Sequence, residues 1–316
     1  MDYRNIFHPL REIRTKYYRS LYKSERFPII LQNDRKRAFN ILWNSIYKRD
    51  FPWEHPATLN EKISWMSALT DTSTWSQLTD KYSVRKYVEG LGLSDILPQC
   101  FGIWNCVSDI NYDFLPSSFV LKCTHDCASA IVIKDKRFIN EEEINKKLSD
   151  HIATVYGYKS CEPHYTTIIP RIMAEELLAD NSTFSSSLVD YKFFCINGHV
   201  ECCMVCYDRK IEEGKATKDL YNVHPWKKMT WETSAFNQRQ TNRKDVPCPP
   251  NLEELISIAE QLSKGFPFVR VDLYDIMDEK PKVVFGEMTF TPHGGRLNCF
   301  SDEYQHVLGD KLNIPM

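Results

Sequence analysis

Arg270 and Asp272 stand two apart in FVRVDLY, and Glu287 and Thr289 stand two apart in KVVFGEMTF. If both runs are strands, alternate side chains share a face. Arg270 and Asp272 then lie together, with Val269, Val271 and Leu273 opposite. By the same alternation Glu287 and Thr289 share a face with Val283 and Phe285. Charged groups among strands this apolar must be paired, bound to a metal, or exposed. Two readings are open. One is an Arg–carboxylate pair on an edge strand; the other is two carboxylates on neighbouring strands holding Mg²⁺, with Arg270 beside them. Mg²⁺ prefers oxygen ligands and keeps waters and substrate phosphates in its shell, so two carboxylates plus a nucleotide suit it.

A second set is cationic. Lys122 closes SFVLK, Lys134 closes AIVIK, and Lys192 shares a strand face with Asp190. Each alone reads as a solvated lysine. Together, with a polar loop between two of them, they form a candidate phosphate clamp. PHGGR, Pro292–Arg296, follows the second carboxylate strand directly. It is either an ordinary glycine-rich turn or one whose backbone N–H groups approach a reacting acyl oxygen.

These residues need elements to hold them. Residues 1 to about 112 are mostly helical in pattern; Asp80 caps a helix through Val88 that Gly90 and Gly92 end. SFVLK and AIVIK, joined by CTHDCAS, read as a hairpin with a long polar loop. Asn140 caps a helix, and PRIMAEELL supplies the next strand. DYKFFCI and HVECCMVCY flank Asn197-Gly198, a strong two-residue hairpin signal. Pro249-Pro250-Asn251 start a helix whose apolar positions Leu252, Leu255, Ile256, Ala259 and Leu262 fit one face, and Gly265 closes it. FVRVDLY and KVVFGEMTF finish the core. Antiparallel hairpins interspersed with helices indicate an α+β chain.

The order of these features resembles the ATP-grasp superfamily, and more closely its TupA-like branch, associated with teichuronopeptide and capsular polysaccharide biosynthesis. The stretches that carry the resemblance are TLNEKISW, DKYSVRKYV, FVLKCTH, AEELL, DYKFFCING, LSKGFPFVRVDLY and FGEMTFTP, over roughly residues 57–310. The resemblance implies an ATP-grasp fold behind a helical N-terminal region, divided at 1–112, 113–178 (lid) and 179–316 (metal-bearing part). It implies ATP as substrate and Mg²⁺ as cofactor. Lys81 and Lys122 match the two ATP-phosphate lysines, with Lys134 beside them, and the loop Thr124–Ser129 matches the phosphate-covering flap. Glu175–Leu178 match the hinge where adenine meets the backbone, chiefly at Glu176 and Leu178. Asp190 matches a ribose-binding acid. Lys192 would face the γ-phosphate and Arg270 the transferring phosphoryl group. Asp272, Glu287 and Thr289 match the metal strands, and His293, Gly294, Gly295 and Arg296 fall at the acyl substrate. Two departures stand out. The flap has no glycine, so positive-φ conformations become costly and Asp126 repels phosphate. Thr289 replaces a usual Asn, which weakens a second metal position.

The implied activity is a carboxylate–amine ligation through an acyl phosphate, joining an amino acid or small amine to a uronic acid or similar acid of a surface polysaccharide. Its rivals are a glycosyltransferase, which lacks its D-x-D here, and a degenerate nucleotide- or glycan-binding protein. Across 316 residues the formal net charge is −2, which argues against nucleic acid as a partner. No run of about 18 apolar residues offers a membrane span, and the N-terminus lacks a secretory h-region. The basic stretch Leu10–Lys23 is either a solvated helix face or a weak membrane-surface contact. Eleven cysteines, several in apolar runs, read as buried side chains in a reducing, cytoplasmic compartment. A metal clip by Cys203 and Cys206 is the alternative.

Overall fold

The computed structural model of the chain describes residues 7–179, 184–210, 215–238, 243–277 and 282–315. Helices α1 (Phe7–Tyr22), α2 (Arg26–Asn33) and α3 (Arg35–Tyr47) pack around Phe27, Leu31, Phe39 and Leu42. Asp34 caps α3 by accepting from the Arg37 N–H. Helix α4 (Leu59–Leu69) starts from a capping box in which Thr58 and Glu61 each accept the other's backbone N–H. Helices α5 (Ser73–Thr79) and α6 (Ser83–Gly90) follow. The Asp80 carboxylate accepts from the N–H groups of Tyr82 and Ser83 at 2.8 and 2.7 Å, so it caps α6 as its spacing suggests.

Among the described residues the strands form two antiparallel sheets. The first comprises β1 (Cys100–Trp104), β2 (Phe119–Cys123), β3 (Ile131–Ile133) and β4 (Ile172–Glu175), in the order β1-β4-β2-β3. Helices α7 (Glu141–Ile152) and α8 (Tyr156–Ser160) lie between β3 and β4 in the chain. Alternation sorts β2 cleanly: Phe119, Leu121 and Cys123 face a core with Ile144 and Leu148 of α7, while Val120 and Lys122 face the other way. The boundary expected at residue 112 falls inside this unit. β1 pairs with β4, and Ile110 and Tyr112 belong to the same core, so the sheet begins near residue 100.

The second sheet comprises β5 (Asp190–Ile196), β6 (His199–Lys210), β7 (Lys215–Val223), β8 (Trp226–Lys228), β9 (Phe268–Ile276) and β10 (Lys282–Thr289). Its order is β10-β9-β5-β6-β7-β8. Asn197 (φ 51°) and Gly198 (φ 83°) both take positive φ, the conformation a two-residue hairpin turn requires. A short α9 (Ala235–Gln238) precedes α10 (Leu252–Ser263), whose Leu255, Ala259 and Leu262 are fully buried against one face of the sheet. The other face carries the charged side chains. Cys203 and Cys206 lie three apart on β6 and so point to opposite faces, which rules out a shared metal clip. Every described cysteine is free.

The helical region is fastened to the chain's end. The Asn60 side chain of α4 exchanges hydrogen bonds with the Leu297 backbone, both at 2.9 Å. Lys62 donates to the Gly309 and Leu312 carbonyls around α11 (Asp302–Lys311). In the segment before β4, His164 is buried, edge-on to Trp75 and beside Tyr165, with no hydrogen-bond partner at either ring nitrogen. Burial pulls its pKa down from 6.5 to about 3.

The neutral imidazole is favoured in the fold, whereas the unfolded chain binds a proton below about pH 6.5. The stability from His164 is therefore complete above that pH and lost as pH falls from there toward 3. His164→Phe should lose about 2 kcal/mol less than the parent between about pH 6.5 and about pH 5, measured by urea unfolding. Equal losses in both would show that His164 does not titrate in this way.

Candidate active site

The centre of the site is a guanidinium on β9. Arg270 donates to both Asp272 oxygens, at 2.7 and 2.8 Å, to Glu287 at 2.8 Å and to the Thr289 hydroxyl at 3.0 Å. Thr289 in turn donates to Glu287 at 3.1 Å. Register explains the convergence: Asp272 pairs with Glu287 and Arg270 with Thr289 across β9 and β10, and Asp272 pairs with Lys192 across β9 and β5. Lys192 contacts Asp272 directly and lies 2.9 Å from Asp190. Asp272 is 1% exposed and Arg270 7%.

One expectation about β10 fails. The register shifts between Phe285 and Glu287, leaving Gly286 as an extra residue. Val283 and Phe285 therefore pair with Asp275 and Leu273 on the α10 side, opposite Glu287 and Thr289. A Cβ at Gly286 would meet the Asp272 carbonyl oxygen at 2.9 Å and the Tyr274 ring at 3.1 Å. Only glycine lets the bulge close this tightly.

Burial pushes the Asp272 carboxyl up, against the opposing pull of Arg270 and Lys192. Burial acts on Glu287 in the same sense, but Arg270, Lys192 and Lys81 outweigh it and hold Glu287 well below the usual carboxylate range. Burial alone would lower the Lys192 ammonium; Asp190 and Asp272 hold it above its ordinary value. Asp190 also receives Arg209 at 2.8 Å, while its second oxygen, Oδ1, is buried without a partner. Arg209 escaped the sequence reading because the register shift between Tyr207 and Lys210 turns it onto the site face.

The lid side approaches this cluster through Lys81 and the flap. The Lys81 N–H donates to the Thr124 carbonyl at 3.1 Å, and its ammonium contacts the Asp126 carbonyl oxygen. Asp126 does not face a phosphate position as the sequence suggests. It is 2% exposed, accepting from the Ser129 hydroxyl and lying 2.5 Å from His151 Nδ1, so its charge is directed into the lid. The Ser129 hydroxyl also accepts the Cys123 N–H at 2.9 Å, closing the neck of the loop. Without glycine, Ala128 takes φ 68°. Asp80 and Arg171, 3.0 Å apart, tie the α6 start to the strand before the hinge, and Asp80 also accepts from Thr124 at 3.2 Å.

Lys122 is paired with Glu175 on the face opposite the lid core. Lys134 is not with it. β2 and β3 are antiparallel with Phe119 opposite Ile133, which puts Lys134 exposed at the far end of the hairpin, roughly 13 Å along the strand from the residue opposite Lys122. The phosphate clamp loses this member. In the segment expected to form the hinge, the Glu176 N–H already donates to the Gln99 carbonyl at 2.8 Å, so that donor is engaged within the protein; Leu178 is half-buried.

The PHGGR turn also departs from expectation. His293, Gly294 and Gly295 take φ of 54°, 65° and 71°, but the N–H groups of Gly294 and Gly295 both donate to the Thr291 carbonyl. They are not available to an acyl oxygen. What the turn presents instead is the solvent-facing His293. Its pKa is lowered to about 4 by desolvation of the ring and by Lys218, Arg270, Arg296 and Lys192. Lys218 was missed by the sequence reading; β7 pairing aligns it with Cys206, in the row of Asp190 and Tyr274. Arg296 donates to the Gly294 and Ser160 carbonyls at 2.6 and 3.3 Å. Thr291 contacts the buried Glu162, another residue without a sequence signal, and so pins the turn to the segment before β4.

Among the described residues no group of three His, Cys, Asp or Glu side chains is placed to hold a metal alone. Asp272 and Glu287 still offer hard oxygen donors on adjacent strands. That set fits Mg²⁺ if substrate phosphates and water complete its shell.

Gly286→Ala should destabilise the protein by roughly 1–3 kcal/mol in urea unfolding, because the new methyl presses on the Asp272 backbone. Unchanged stability would mean that the bulge can relax.

A family model described as TupA-like ATPgrasp matches residues 61–313. No curated protein matches the chain. Among solved structures, an L-amino acid ligase from Bacillus licheniformis aligns at 15% identity and a TM-score of 0.45, over 82% of this chain and 56% of that one. D-alanine–D-alanine ligase from Bacillus anthracis, complexed with ATP, aligns at 12% identity and a TM-score of 0.38, over 82% and 63%. A RimK domain ATP-grasp protein from Sphaerobacter thermophilus aligns at 12% identity and a TM-score of 0.40, over 81% and 78%. The chain thus spans less than two thirds of the first two.

Proposed function

Because the chain belongs to the TupA-like ATP-grasp family, with that α+β fold, we propose that it is an ATP-dependent carboxylate–amine ligase. The observation that carries this reading is the convergence of Arg270 and Lys192 on Asp272 and Glu287 across three adjacent strands. Asp272 and Glu287, with Thr289 beside them, would hold Mg²⁺, which when bound supplies charge neutralisation at the ATP phosphates. In the first half-reaction a substrate carboxylate oxygen attacks the γ-phosphorus of ATP. The bond to the β-phosphate oxygen breaks, giving an acyl phosphate and ADP. In the second, an amine nitrogen attacks the acyl carbon, loses a proton, and inorganic phosphate leaves.

Lys192 and Arg270 sit where charge shifts from the γ-phosphate to the leaving groups, and their fixed ion pairs keep them oriented before substrate arrives. Lys81 and Lys122 face the phosphates from the lid, with Ser129 closing the loop that follows Lys122 and Glu175 holding the Lys122 ammonium in place. Adenine lies against the segment 174–178. The unpartnered Asp190 Oδ1 accepts a ribose hydroxyl. His293, among the cations of Lys218, Arg270, Arg296 and Lys192, marks where the acid substrate enters. The TupA-like branch supports a uronic acid, or a similar acid of a surface polysaccharide, joined to an amino acid or small amine. The free cysteines support a reducing, cytoplasmic setting.

An ADP-release screen over uronic acids crossed with amino acids tests the reading, with amide product detected by mass. Release that needs both partners is the expected result; tight ATP binding without ADP release from any pair would favour a binding protein. Within that assay Glu287→Gln should lower turnover by roughly 10²-fold or more while leaving the melting temperature nearly unchanged. Near-normal Mg·ATP turnover in this variant defeats the metal assignment.

Lys122→Ala should raise the KM for ATP and lower kcat together, because a charge near the phosphates is lost in both ground and transition states. Steady-state kinetics with both parameters unchanged would remove Lys122 from the phosphate clamp.

A further inference from the structure

Helix α1 is docked the wrong way round for an ordinary surface helix. Thr15, 1% exposed, donates to Asn44 of α3. Arg11 and Arg19 donate to the Lys48 and Ser45 carbonyls at the end of α3, and Arg14 bonds Asp50 at 3.0 Å. Tyr18, Leu21 and Tyr22 complete the inward side. The outward side carries Leu10, Ile13 and Tyr17, which are 65%, 63% and 59% exposed. At about 3.6 residues per turn these three form one stripe, with Lys16 on its margin and Lys23 just past the helix end. A soluble helix normally buries such a stripe.

The charge of this stretch of sequence is as lopsided. Residues 10–37 contain nine Lys or Arg (Arg11, Arg14, Lys16, Arg19, Lys23, Arg26, Arg35, Lys36, Arg37) against three acids (Glu12, Glu25, Asp34), a net +6. The whole chain carries 40 basic and 42 acidic residues, so the remainder carries 31 against 39, a net −8. Among the described residues no helix is long and apolar enough to cross a membrane. From the outward apolar stripe, its cationic margins and the concentration of positive charge, we infer that α1 docks the protein on the surface of an anionic phospholipid bilayer. The stripe sinks to the acyl boundary while Lys16 and Lys23 meet the headgroups. A second copy of the chain is a poorer occupant, since it would bring the same positive face against itself.

The test is co-sedimentation of the full chain with vesicles of phosphatidylcholine alone and of phosphatidylcholine mixed with phosphatidylglycerol. The mixed vesicles should bind the protein, the neutral ones far less, and added salt should weaken the binding. The triple variant Leu10→Ser, Ile13→Ser, Tyr17→Ser changes only exposed side chains, so its melting temperature should match the parent's. Its vesicle binding should fall about tenfold or more. Lys16→Glu with Lys23→Glu should fall by a similar factor. No binding to mixed vesicles, or equal binding by parent and stripe variant, overturns the inference. So does a parent dimer in solution that the stripe variant dissolves, which would give the face to a second copy.

Discussion

A guanidinium that is 7% exposed cannot remain charged among apolar strands unless its hydrogen-bond donors are met. Arg270 solves this by gripping Asp272 twice and reaching Glu287 and Thr289 on the next strand. Much of the site follows from that one requirement. The two carboxylates must share a face and a row, so the register of β9 and β10 is fixed. The surplus negative charge draws in Lys192, which lies in the same row on β5 and is paired in turn with Asp190. A buried network of this kind stabilises the fold weakly at best. Its value lies in holding charges in place before a substrate arrives.

Local alternation made this pairing legible in the sequence. R-x-D and E-x-T each place their members on one face whatever the strands pair with, and the N-G turn and the Asn140 cap are equally local. What depended on partners distant in the chain was not legible. The face of Val283 and Phe285 turned on a bulge that alternation cannot register. Lys134 has the same local setting as Lys122, and only antiparallel pairing shows that they lie at opposite ends. Asp126 read as a repulsive charge because its partner His151 is 25 residues away. Arg209, Lys218, Arg171 and Glu162 gave no signal because none sits in a patterned pair.

The lid reaches its shape by a different route from a glycine-rich loop. The loop between β2 and β3 accepts a left-handed alanine at Ala128, a conformation that costs on the order of 1 kcal/mol. The Ser129–Asp126–His151 chain and the Lys81 contact over-determine it. Flexibility is replaced by fixed charge. Asp126 thereby becomes part of the scaffold rather than a neighbour of phosphate.

The bulge at Gly286 divides β10 into two segments that answer to different neighbours. Upstream, Val283 and Phe285 are held only to fit beneath α10, a demand that many apolar side chains meet. Downstream, Glu287 and Thr289 are held to a single chemistry. The extra residue is the only thing that keeps these two phases out of step. Drawing Gly286 into the ladder opposite Asp272 would leave a strand of better local geometry and turn Glu287 and Thr289 into the apolar layer beneath α10, with Met288 facing Arg270. Substitution can therefore wander through the first half of this strand over evolutionary time, while the place where the ladder skips a residue is held.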